Sequence, residues 1–412
     1  MHIREMFLFR ASARLSGFAI SVFLSAAVGL IVIPVVISRG GADAWLAVAV
    51  GQSIGGLASI LVAFGWGVTG PAMIASRPLD SRRIYLESFR IRLLLLVPGA
   101  CIAVIVALLV APKDSAVTLV AALGACLAGL SGGWLFVGEG KPSSLLSYDT
   151  LPRLGGTVIG LTTLIAGLPV LVFVACAFLG QLASVIVTVW VVKKRPAAAV
   201  GSYNTGLKFW TTLYSQRHGM STALVASTYQ LLPLIIVTAV APLAAAQYAL
   251  ADRLLKLSLA GVVPISQTLQ GWVPSGGALM LARRARSATI LAGSFGVVGG
   301  LALMFLAPSV SRILSQGSIT VSVELAIPLG IAFGASIISQ TTGLACLLPL
   351  GRSVHVAISA LLGAVVGVIL LFTGTFAFAA QGAAWAVAIS EMLVLSYQLI
   401  VLSAAIHRRS LR

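Results

Sequence analysis

Runs of about twenty apolar residues follow one another along nearly the whole chain, and no other feature limits its fold as much. A bilayer's hydrocarbon core is crossed by roughly 20 helical residues, and no backbone polar group inside it can be left unpaired. Runs of that length therefore read as helices that cross lipid. They fall at 15–37, 44–69, 91–111, 116–137, 152–168 and 170–192, then at 219–241, 244–268, 288–308, 323–348, 353–373 and 378–404. Composition points the same way: 59% of the residues are hydrophobic and 9% charged, against about 25% charged in a soluble domain. The fold expected is an all-α polytopic membrane protein with twelve transmembrane helices.

Charge gives these crossings a direction. The 412 residues carry 27 Lys+Arg against 10 Asp+Glu, a net charge of +17. In a soluble protein such an excess suggests nucleic acid. Here the cations sit between apolar runs, where they orient the spans and meet anionic lipid head groups. With twelve crossings, 22 cations fall on the loops of one side and three (Arg39, Lys113 and Arg312) on the other. The remaining two, Arg253 and Lys256, lie inside a span. The positive-inside rule then puts both termini in the cytoplasm. The basic N-terminus runs into an apolar stretch with no distinct small-residue cleavage site, so it reads as a retained first span.

Little remains outside lipid. The longest polar stretch, "KKRPAAAVGSYNTGLKFWTTLYSQRH" (193–218), separates six spans from six. The domains expected are an N-terminal six-helix lobe (1–192), a cytoplasmic linker (193–218) and a C-terminal six-helix lobe (219–412). The linker is too short for a nucleotide-binding domain, and no GxxxxGK[ST] loop occurs. Cys101, Cys126, Cys176 and Cys346 stand singly in apolar segments, which reads as small buried hydrophobes rather than ligands or disulfides.

The halves resemble each other. "ADAWLAVAVGQ" (42–52) and "GWGVTGPAMIASR" (65–77) bracket the second span; "AAQYALADRLL" (245–255) and "GWVPSGGALMLAR" (271–283) bracket the eighth. Both blocks follow the first span of their half and end in a basic loop. The two lobes are thus expected to be related by internal pseudo-symmetry about an axis along the membrane normal, as in many secondary transporters.

Three stretches carry a family resemblance: "GLIVIPVVISRGGADAWLAV" (29–48), the aromatic-Ala-x-Ala-Asp-Arg start of the eighth span, and "QGAAWAVAISEMLVL" (381–395). Together with the six-plus-six layout, which covers the whole chain, they resemble the polysaccharide-repeat flippases. These are the O-antigen and exopolysaccharide exporters of the multidrug/oligosaccharidyl-lipid/polysaccharide superfamily. The resemblance implies two six-helix lobes that move undecaprenyl-pyrophosphate-linked sugar units across the bacterial inner membrane by alternating access. It also implies a cation-lined cavity and no cofactor, and leaves coupling to an H+ or Na+ gradient open. "ADRLLK" is similar to the Asp-Arg signature of major-facilitator sugar porters, but that motif belongs in a cytoplasmic loop and here the letters lie inside a span.

The buried charges carry the chemistry. A charged side chain at mid-span costs roughly 2.5–3.5 kcal/mol on insertion scales, yet "YALADRLLKLSL" (248–259) holds three. Asp252 and Lys256 are one helical turn apart and can pair. Arg253 points about 100 degrees away from Asp252 and is not neutralised so neatly. One reading is a self-satisfied ion pair with Arg253 snorkelling; the other is a cationic wall on a wet cavity. For a pyrophosphate, Arg253 is the first candidate and Lys256 the second, since Arg offers forked donors and Lys a point charge. Arg14, Arg92 and Arg217, at the cytoplasmic ends of the first, third and seventh spans, could gather the anion at the entrance or serve topology alone. Arg39 and Arg312 could receive it on the outer side.

Asp252 and Glu391 are the candidates for binding a coupling proton or Na+; for Glu391 the alternative is an interhelical hydrogen bond. Gln52, Gln181, Gln230, Gln267, Gln340 and Gln398 offer intramembrane amides, and Pro34, Pro233 and Pro264 can bend their helices. A cation-coupled multidrug exporter is the rival reading, although cationic drugs favour acidic cavities and this chain has a cationic surplus. A membrane glycosyltransferase or polymerase would need a large outer loop or surface carboxylates, which the sequence lacks, so no enzyme is expected. The partners expected are the lipid-linked oligosaccharide and anionic membrane lipids. A polysaccharide polymerase is left open and nucleic acid excluded.

Overall fold

The computed structural model describes residues 2–111, 115–196, 209–274 and 277–410. Among them every regular element is helical. The helices are α1 (His2–Ala63), α2 (Trp66–Ser76), α3 (Ser81–Val110), α4 (Ser115–Leu127), α5 (Gly133–Gly138), α6 (Pro142–Leu145), α7 (Leu151–Ile165), α8 (Val170–Lys194), α9 (Phe209–Val240), α10 (Pro242–Trp272), α11 (Gly277–Leu314), α12 (Val323–Gln340) and α13 (Ser353–Ser410). A π-helical turn, Leu146–Thr150, joins α6 to α7, and another, Thr341–Leu347, extends α12.

Seven stretches of the described residues are long and apolar enough to cross a membrane. Two of them, Phe18–Ala63 and Ser353–His407, span 46 and 55 residues. At about 1.5 Å per residue each is roughly twice the thickness of a bilayer core. Each therefore folds back once. In α1 the bend is at Gly41, whose φ of 79° favours glycine; in α13 it is at Phe378–Ala379. Helices α7, α9 and α10 supply the other crossings, which gives the twelve read from the sequence.

The chain divides into two compact units, Met1–Ile235 and Ile236–Arg412. In the first, α1 packs on α4 and α7 on α8. Small residues set the approach: a Cβ on Gly51 would lie 2.5 Å from the Thr118 carbonyl oxygen, and one on Gly55 2.0 Å from that of Ala122. In the second unit Gly296 and Gly300 of α11 face Gly334 and Gly330 of α12 in the same manner. This small-xxx-small packing brings backbones together where lipid supplies no hydrophobic drive between helices. The outward faces carry the opposite pattern, with Leu94, Val97, Leu109, Phe305 and Phe376 exposed. Cys126 and Cys346 are buried, whereas Cys101 is exposed, contrary to the expectation for it.

Local chemistry explains several ends. Pro242 starts α10 where a missing N–H costs nothing. The Ser322 side chain accepts from the Leu325 N–H to cap α12, with Glu324 in its first turn. Lys193 and Lys194 sit in the last turn of α8.

Three features depart from the simple run of apolar helices. The second span breaks at Phe64–Gly65, both with positive φ (42° and 82°), and continues as α2. The fourth breaks after a 3-10 turn at Ala128–Leu130 and resumes as α5. Residues 209–218, expected as linker, form the first turns of α9. The rest of that linker, 197–208, lies outside the described residues.

Candidate functional site

Helix α10 presents the charged stretch. Tyr248, Ala249, Leu250 and Ala251 are buried, and Asp252 follows them inside. One turn on, the Lys256 ammonium donates to Asp252 Oδ2. The two charges cancel locally. Arg253 is left with a half-buried side chain whose Nε has no hydrogen-bond partner among the described residues. An N–H buried in that state is costly until an acceptor meets it.

Glu391 of α13 takes the second position. The Ser336 and Ser339 side chains of α12 lie beside its carboxyl, and the Ser339 hydroxyl donates to the Ser336 carbonyl oxygen at 3.1 Å. Two turns further along α13, the Gln398 amide donates to Ser359 Oγ at 2.9 Å, while its Oε1 is buried without a partner. Gln398 lies against Gly343, within the π-helical turn. The seam between α12 and the second half of α13 is therefore polar at two levels.

Arg92 occupies a place other than the entrance expected for it. It is 1% exposed. Its Nη1 donates to the carbonyl oxygens of Gly129 (3.2 Å) and Ser131 (2.8 Å), the free acceptors at the broken end of the fourth span. The Tyr85 and Trp134 rings flank it, each 5.6 Å from the guanidinium carbon. Arg92 closes a helix terminus. Arg39, Arg217 and Arg312 are all exposed, and Arg217 stacks 3.6 Å from the Tyr214 ring centroid. The side chains of Arg14, Pro264 and Gln267 lie outside the described residues.

Two acids escaped the sequence reading. Asp149 is buried, and its Oδ1 accepts from Ser131 Oγ at 2.6 Å and Ser184 Oγ at 3.2 Å. Glu139 pairs with Arg195 and, at 3.2 Å, with Lys141. Both fall between the fourth and fifth spans, in a segment the hydropathy pattern assigns to a loop: Glu139 follows the end of α5 and Asp149 lies in the π-helical turn. Among the described residues no three His, Cys, Asp or Glu side chains gather as metal ligands would.

No family model and no curated protein matches this sequence. Solved structures do. Lipid II flippase MurJ in an inward closed conformation superposes with a TM-score of 0.73 at 13% identity, over 94% of this chain and 87% of its own. An inward-facing multidrug resistance MATE family transporter of the MOP superfamily gives 0.60 at 14%, over 92% and 98%. A MATE in complex with MaL6 gives 0.52 at 13%, over 96% of each chain. The chain shares the fold of these transporters.

Proposed function

We propose that this chain is a flippase for lipid-linked oligosaccharides. It moves undecaprenyl-pyrophosphate-linked repeat units across the bacterial inner membrane by alternating access, with both termini in the cytoplasm and no catalytic step of its own. One observation carries the reading: the Arg253 Nε is buried within a crossing with no hydrogen-bond partner among the described residues, while Asp252 and Lys256 neutralise each other. A pyrophosphate oxygen would accept from that N–H. Lys256 adds charge beside it, and exposed Arg217, Arg39 and Arg312 are available to the anion before and after passage. The likeness to a lipid II flippase supports a lipid-borne cargo.

Arg253→Ala removes charge-assisted hydrogen bonds, so export of surface polysaccharide should fall on the order of tenfold to a hundredfold. Membrane insertion should be unchanged, and Arg253→Lys should restore part of the activity. Normal export by the alanine variant ends the pyrophosphate assignment. Deleting the gene and identifying the glycan that accumulates on the cytoplasmic leaflet names the cargo.

The likeness to MATE transporters favours a second reading, a cation-coupled multidrug exporter. It is separated by the same strain: drug sensitivity rises on deletion while lipid-linked glycans stay at their normal level.

A further inference from the structure

The start of α9 has two faces. Thr212, Gln216 and Gly219, spaced by one turn and then by three residues, are buried, while Trp210 and Tyr214 on the other side are 78% and 68% exposed. This buried face meets the second span at its break. The Thr69 hydroxyl of α2 donates to Gln216 Oε1, with the Gly65 carbonyl oxygen as a second acceptor at 3.2 Å. The backbones themselves touch: a Cβ on Gly65 would sit 2.6 Å from the Met220 nitrogen, and one on Gly219 2.8 Å from Thr69 Cγ2. Farther along, Leu231 rests against Gly56 of α1. The pairs 69–216, 65–219 and 56–231 run in opposite chain directions, so they form one antiparallel ladder.

Its composition suits a contact that opens. Two glycines, a threonine and a glutamine make its inner end. Phe64 is held at φ 42°, where a non-glycine residue is strained, directly beside the close approach. Thr212 Oγ1 is buried without a partner and regains one in water when the face separates. Helix α9 also crosses the division between the compact units at Ile235–Ile236, two residues after Pro233. That proline removes an intrahelical hydrogen bond and is where the helix bends most cheaply.

We propose that residues 209–232 are a gate arm hinged at Pro233, clasped shut here by Thr69–Gln216 and Gly65–Gly219 and released during each transport cycle. The cargo does not enter this argument, so the clasp stands or falls separately from the flippase assignment.

The test reads solvent access alone. Thr212→Cys, in a background with the four native cysteines replaced by alanine, is labelled in inside-out membrane vesicles with a membrane-impermeant maleimide. Loss of the buried hydrogen bond through Gln216→Ala should raise the labelling rate about tenfold. Thr69→Val removes the same bond from the other partner, leaves α9 untouched, and should act alike. Pro233→Ala added to Gln216→Ala should bring labelling back toward the original rate. Equal rates with and without Thr69→Val overturn the clasp. Labelling that stays high after Pro233→Ala overturns the hinge.

Discussion

Arg92 and Arg253 both carry a guanidinium into the interior of their units, and what surrounds each one differs. The Nε of both is buried without a hydrogen-bond partner among the described residues; they differ in that the Arg92 Nη1 is fixed on two backbone carbonyls, with two aromatic rings beside it. Stability is therefore the expected phenotype at one and transport at the other. Arg92→Lys keeps the charge but cannot fork between Gly129 and Ser131, and Arg92→Ala leaves both carbonyls open. A loss of about 3 kcal/mol for the alanine variant follows from charge-assisted bonds broken in a buried place. It reads out as a lower unfolding midpoint in detergent, with Arg253→Ala unfolding near the parent midpoint. No local signal in the sequence separates these two residues. Arg92 stood at the expected edge of an apolar run, whereas the helix starts eleven residues earlier, at Ser81. Its partners lie 37 and 39 residues away and become acceptors only because the fourth span breaks. The Asp252–Lys256 contact, by contrast, is local and was legible from spacing.

At the scale of elements, hydropathy located the helices and said little of how they meet. Break points are steric facts about pairs of helices, so "GW" at 65–66 and 271–272 carried a hint the apolar count could not use: in both halves the dipeptide marks a helix boundary, the start of α2 after its break and the end of α10. The acids Asp149 and Glu139 were missed for the same reason, because a short polar segment looks like loop until the π-helical turn buries Asp149 and Arg195 pairs with Glu139. The glycine seams allow a direct check. A Cβ on Gly300 would lie 2.6 Å from the Gly330 carbonyl oxygen, while one on Gly293, two turns earlier in α11, meets nothing within 4 Å. Gly300→Ala should thus cost about 1–3 kcal/mol as α11 and α12 are pushed apart. Gly293→Ala should gain up to about 1 kcal/mol from helix propensity. Thermal unfolding of the two variants measures the difference, and equal midpoints would remove close backbone contact as the glue of this pair.

For the whole molecule, the alternation of cations across twelve crossings was the strongest long-range signal in the sequence, since one extra or missing span would have scrambled it. The flipping cycle proposed for this chain needs an energy source, and an ion gradient is one that a proteoliposome can supply. Asp252 is committed to Lys256, so Glu391, beside the Ser336 and Ser339 side chains, is the first carboxyl to test for exchange of a proton or Na+. An ion bound at the seam of α12 and α13 would change how these two helices of the second unit pack. Glu391→Gln keeps the size but can neither release a proton nor offer a negative charge. In proteoliposomes, then, flipping by the parent protein should accelerate under an imposed H+ or Na+ gradient. The glutamine variant should run at one rate with or without it. A gradient response that survives the substitution assigns coupling to another group, and Asp149, the buried acid of the first unit, becomes the residue to change next.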